Sequence, residues 1–157
     1  MRSIAMSIES ADVRIRKILV GIDGSDYSIR ALKFGFDLAK KYDSMLVAIT
    51  AFHIPEIYRI FRNKENFNTI SIEDEIIKSK NLLQSIKESG IKNNIDIHTE
   101  FVNSRSTPDI AILEYSESNN VDHIILGHRG NSIENLLIGN IANSIVAKSK
   151  CSVTVVK

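Results

Sequence analysis

The chain carries one cysteine, two prolines and no tryptophan in 157 residues, and only 6% of it is aromatic. The single cysteine, Cys151, excludes an internal disulfide framework and fits a reducing, cytoplasmic compartment. So few aromatic side chains leave no platform on which nucleic-acid bases could stack. An excess of one charge is missing too. Twenty basic residues stand against 19 acidic ones, a net charge of +1, so no overall field recruits nucleic acid or an anionic membrane. No apolar run reaches the length that spans a bilayer. Arg2, Glu9, Asp12, Arg14 and Arg16 interrupt the N-terminal stretch and break any signal-peptide apolar region. GxxxxGK[ST], GxSxG, HExxH and CxxC are all absent, and no residue stands out as a general base for in-line hydrolysis.

What is present is a regular succession of apolar runs and helical stripes, with 43% hydrophobic and 25% charged residues. The length suits one domain, read as residues 16–157 behind a loosely ordered N-terminal extension, 1–15. KILVGID, Lys17 to Asp23, reads as a buried strand ending in a carboxylate. Ser25 is placed to cap the helix that follows, whose stripe is Ala31, Leu32, Gly35, Phe36, Leu38, Ala39 and Tyr42. MLVAITAF, Met45 to Phe52, is a second buried strand. Residues 54–70 then lose all period, mixing Arg59, Arg62 and Lys64 with asparagines, either as a lid over phosphates or as a solvated charged loop. A helix resumes near Ser71 and is expected to stop at Gly90. IDIHTEFV, Ile95 to Val102, alternates as a half-buried edge strand does. Pro108 heads a third helix that ends at Asn119 and Asn120, a fourth strand is centred on Ile124 to Leu126, and a last helix runs to about Lys150 before the closing strand, Cys151 to Val156. Five strands joined by helix-bearing crossovers imply an α/β fold, a parallel sheet with helices on both faces.

The stretch that organises the rest is VDHIILGHRGNSIENLLIGN, Val121 to Asn140. A strand, a loop with glycines at both ends and a helix N-terminus are the parts of an anion cradle, because small residues let backbone N–H groups approach a phosphate. In open α/β sheets ligands bind beyond the carboxyl ends of strands where strand order reverses. With the order 3-2-1-4-5, that point lies between the first and fourth strands. Asp23 and the Gly127 to Asn140 loop would face each other there, the carboxylate toward a base or ribose and the backbone toward phosphates.

The run KILVGIDGS, the proline at the head of the third helix, and VDHIILGHRG…LLIGN…IVAKSKCSVTVVK together resemble the universal stress protein family, in order and spacing, from Arg16 to Lys157. The resemblance implies an adenine nucleotide alpha hydrolase-like fold and a homodimer through the last strand. In one branch it implies ATP as ligand, with Mg²⁺ accompanying the nucleotide. By that resemblance Asp23 matches the adenine-side carboxylate and Ala51 a backbone position on the second strand. Gly127, His128, Gly130, Gly139 and Asn140 match the phosphate loop. The branch motif is Gly, two residues, Gly, nine residues, Gly, then Ser or Thr. Here eight residues separate Gly130 from Gly139, Asn140 stands in place of the hydroxyl, and Ser106 occupies a position that is often glycine.

Plainer roles remain open for the same residues. Asp23 could simply hold its own turn, and Asn140 could cap the last helix or donate from its amide. His128 and Arg129 could face a phosphate or form a solvated tip. His53, His98 and His123 lack the spacing of a metal site, and Cys151 reads as structural. The leading expectation is a regulatory protein that binds ATP or a related adenine nucleotide without fast turnover. Beside it stand a ligand-free dimerisation module of the same fold and a slow ATPase.

Overall fold

The computed structural model describes residues 14–54, 69–130 and 138–157. Most of the N-terminal extension and most of the 54–70 connection, with Arg59, Arg62 and Lys64, lie outside the described residues. The elements run β1 (Lys17–Gly21), α1 (Asp26–Tyr42), β2 (Met45–His53), α2 (Thr69–Lys92), β3 (Ile97–Ser104), α3 (Pro108–Ser118), β4 (His123–Gly127), α4 (Asn140–Lys148) and β5 (Ser152–Val156). The five strands form one sheet in the order β3-β2-β1-β4-β5, and every pairing is parallel. The parallel α/β sheet is the one that the pattern of apolar runs implied, and its order is the 3-2-1-4-5 expected for it.

Successive strand residues point to opposite faces, so each buried run feeds two cores. Ile18, Val20, Leu46, Ala48 and Ile125 pack with Leu32 of α1 and with Leu83 and Ile86 of α2. Leu19, Val47, Ile49, Ile124 and Leu126 pack on the other side with Ile112 of α3 and Ile145 of α4. Burial on both faces explains why these strands read as continuous apolar runs without alternation. β3, at an edge, alternates instead: Ile97 is buried and His98 exposed.

Ser25 caps α1 as expected, its Oγ accepting the Ser28 N–H at 3.1 Å. Asp43 closes the helix in a left-handed turn at φ 53°, donating its N–H to Ala39 O. The expected stop at Gly90 is not where α2 ends. The helix runs on to Lys92, and Gly90 is buried inside it. A β-carbon there would lie 2.5 Å from Ile97 Cγ2, so the glycine lets α2 lie against β3 and terminates nothing. β3 also starts and ends two residues later than its alternation suggested, and α4 ends at Lys148, short of Lys150. Asn140 is not the cap of α4 either. Gly139 holds that position, at φ −60° and ψ 148°, and Asn140 is the first helical residue.

Candidate functional site

A cavity of about 460 Å³ opens beyond the carboxyl ends of β1 and β4, where the strand order reverses. Its apolar lining comes from Ile22 after β1, Ile49 and Ala51 on β2, Leu126 on β4, and Pro108 and Ile112 on α3. Its polar side holds Asp23, Ser28, Arg129, Gly130, Gly139 and Asn140. An apolar pocket with a few convergent polar groups is the usual make-up of a small-molecule site.

Asp23 is exposed and fixed by its own turn. Oδ1 accepts the Ser25 N–H at 2.9 Å and the Ser25 hydroxyl at 2.6 Å, while Gly24 between them takes φ 80°. Oδ1 thus holds the turn, and Oδ2 faces Gly130, where a β-carbon would sit 2.6 Å from it. Gly127 has a different reason for lacking a side chain. A β-carbon there would lie 2.7 Å from the Tyr27 carbonyl carbon and 2.8 Å from Ser28 N, so this glycine admits the first turn of α1 against β4.

The loop closes at a neck. Gly139 N–H donates to His128 O at 2.9 Å, and the side-chain position of Gly139 faces Arg129 Cα at 3.4 Å and Gly130 N at 3.7 Å. Gly130 and Gly139 therefore stand side by side even though eight residues separate them in the chain. The length of the excursion does not set the spacing of its ends. Because Gly139 has no side chain, the N–H groups in the first turn of α4 receive no cap from it. His128 does not line the cavity. Its ring lies 6.1 Å from the Tyr27 ring, and its backbone N–H donates to Val156 O at 2.7 Å.

Two walls of the cavity are joined behind the lining. Ser144 on α4 donates to Asp109 Oδ2 on α3 at 2.5 Å, and Lys148 Nζ stands 3.9 Å from the same oxygen. Burial acts to raise the Asp109 pKa. Hydrogen bonds from the Ser144 and Thr107 hydroxyls and from backbone N–H groups outweigh it and hold the carboxyl below its ordinary value. The remaining histidines are spread out. His53 Nδ1 lies 3.1 Å from Ser106 O, His98 Nε2 lies 3.7 Å from Asp96, and His123 Nε2 lies 2.9 Å from Thr154 Oγ1, with burial lowering the His123 pKa. Among the described residues no group of three or more His, Cys, Asp or Glu converges as metal ligands would. No helix among them is long and apolar enough to cross a membrane.

Of the residues singled out from the sequence, the fold brings Asp23, Ala51, Gly127, Gly130, Gly139 and Asn140 to one cavity, and His128 only to its rim through the backbone. Ile112 on α3 and Ile141 on α4 also line the cavity, yet in the sequence they look like ordinary core stripe, and Pro108 stood out only as a helix head.

Fold and cavity together define a class: a parallel α/β domain with a nucleotide-sized crevice at its topological switch point. A family model described as the universal stress protein family matches residues 14–157. The chain belongs to that family. It is 28% identical over 153 residues to the universal stress protein MJ0531 of Methanocaldococcus jannaschii, covering 96% of this chain and 86% of the relative. Among solved structures it resembles the Archaeoglobus fulgidus universal stress protein in complex with dAMP, with TM-score 0.68, 18% identity, and 92% and 100% of the two chains covered. It also resembles a universal stress protein in complex with cAMP, with TM-score 0.63, 22% identity, and 92% and 98% covered.

Proposed function

We propose that this chain is a cytoplasmic regulatory protein that binds ATP or a related adenine nucleotide in the crevice between β1 and β4, without fast turnover, and works as a homodimer through β5. The observation that carries the reading is the neck of the glycine loop, which sets Gly130 and Gly139 side by side opposite Asp23 at the switch point. The apolar lining suits a flat base, with Asp23 and the backbone at Ala51 on the base and ribose side. The backbone at Arg129 and Gly130, with the first turn of α4, to which Gly139 offers no side-chain cap, suits phosphates, while the His128 and Gly139 N–H groups are held by Val156 O and His128 O. Family members in complex with dAMP and with cAMP support an adenine nucleotide as the ligand class.

Asp23 is the only carboxylate among the described lining residues, so Mg²⁺ would come with the nucleotide, held chiefly by phosphate and water. Rapid hydrolysis needs a base aimed at an attacking water. Among the described lining residues the one carboxylate, Asp23, has its Oδ1 taken up by the Ser25 N–H and hydroxyl. One observation favours the ligand-free reading: Gly127 is accounted for by the packing of α1 alone. Mass spectrometry of small molecules released from freshly purified, denatured protein separates the two, together with calorimetry of ATP and Mg²⁺ on the stripped protein. The nucleotide reading expects an adenine nucleotide in the first and saturable heat in the second. Neither signal at millimolar nucleotide would leave the ligand-free module standing.

A further inference from the structure

We infer that Arg129 is the group by which this crevice recognises negative charge, so that it selects phosphate-bearing ligands over neutral nucleosides. The inference deepens the adenine-nucleotide reading and rests on it for the base, but the anion site has its own evidence. Arg129 lines the cavity, and its Nε is buried with no hydrogen-bond partner among the described residues. A guanidinium is charged at every relevant pH, and its N–H groups only donate. Buried donors in native proteins are almost always answered, so an enclosed, unanswered donor beside a cavity points to an acceptor that arrives from outside.

The surroundings fix where that acceptor sits. The Arg129 backbone packs into the neck, with its Cα against Gly139 and its carbonyl 3.5 Å from the Ser25 hydroxyl, so the side chain starts beside the first turn of α4. Arg129 is the only cationic side chain among the described lining residues. The first turn of α4 adds its own positive end at the same neck, and Gly139 provides no side chain to occupy it. Asn140, at the first helical position, is neutral and supplies no charge. Recognition of charge therefore falls to Arg129, and the ligand class is an oxyanion of phosphate type, held by a charge-assisted donor.

The test uses the full chain, unmutated and as Arg129→Ala and Arg129→Lys, titrated with ATP, adenosine and inorganic tripolyphosphate, with thermal midpoint and calorimetry as readouts. The lysine variant keeps the charge and lacks the enclosed Nε–H. The expected result is an ATP affinity about ten- to a hundredfold weaker in both variants, adenosine affinity unchanged, and a tripolyphosphate stabilisation present only in the unmutated protein. Stabilisation by tripolyphosphate that Arg129→Ala removes, with no response to ATP beyond its phosphates, supports the anion site while the adenine reading falls. ATP affinity equal in all three folded proteins overturns the role of Arg129 and leaves the nucleotide reading intact. Silence toward both ATP and tripolyphosphate overturns both.

Discussion

Asp23 and Gly130 are in contact: a β-carbon built on Gly130 would come within 2.6 Å of Asp23 Oδ2. Among the described residues Gly24 is the only glycine with positive φ, so Gly130 is not required by a left-handed backbone. It is required by the carboxylate. Oδ1 is anchored on the Ser25 N–H and hydroxyl, which leaves Oδ2 little freedom to swing away. The β1 turn and the glycine loop are thus fitted to each other within the single chain.

This contact makes a coupled prediction. Gly130→Ala should destabilise the protein by about 0.5–1.5 kcal/mol, the usual cost of pushing a side chain off its rotamer, because the new carbon strikes the Ser25-anchored Asp23 carboxylate. In an Asp23→Ala background the same change should cost much less, because the group it strikes is gone. Urea denaturation of the four proteins in the cycle reads the coupling. Equal costs in the two backgrounds would show that Gly130 is constrained by something other than Asp23. Gly130→Val, which brings a branched side chain to the same spot, should in addition abolish ATP binding.

The parts of the fold that could be read from the chain are those where one local cause dominates. The inner strands β1, β2 and β4 were legible because burial on both faces writes uninterrupted runs such as Leu46 to Ile49, and β3 because an edge strand alternates. Ser25 was legible because a cap is a local hydrogen bond. Gly90 misled because its cause is remote, the Ile97 side chain on another element, and a sequence cannot tell a packing glycine from a terminating one. Asn140 misled by a single position, since Gly139 takes up the extended cap conformation just before it. At the candidate site the glycines and Asp23 stood out by residue type. Ile112 and Ile141 did not, because an isoleucine facing a cavity and one facing a core follow the same helical period. Nor does the chain reveal that the Arg129 Nε is enclosed; only the folded loop does that.

The Ser144 to Asp109 hydrogen bond, which ties α4 to α3 behind the crevice, should show itself in pH dependence. The folded-state pKa of Asp109 is lowered, so its contribution to stability is complete above the ordinary aspartate pKa. It is lost as pH falls through the lower folded value. Ser144→Ala should therefore cost about 1.5–3 kcal/mol at neutral pH, the usual worth of a hydrogen bond to a charged group. The gap between the two proteins should narrow in acid, below the ordinary range of the carboxyl. Denaturation midpoints from pH 7 down to the acid limit of folding check this. A gap that stays constant across that range would mean that the Asp109 charge does not receive the Ser144 hydroxyl.

The two outer strands differ in what they offer a partner. β3 carries His98 and Glu100, which discourage pairing at that edge, whereas β5 is Ser-Val-Thr-Val-Val, without a charge. β5 pairs with β4 alone among the described strands, with Val155 opposite Leu126. A second copy could add the same strand in antiparallel register across a two-fold axis, so that one patch serves both partners. Val155 is half-buried within the single chain and would close the seam. Val155→Asp places a carboxylate there with nothing to answer it, and an unpaired charge in an apolar contact is strongly unfavourable. Sedimentation should find the unmutated protein dimeric at micromolar concentration and Val155→Asp largely monomeric, with an unchanged far-ultraviolet circular dichroism spectrum confirming that the variant is folded. An unmutated protein that sediments as a monomer across that range would remove β5 as the dimer edge.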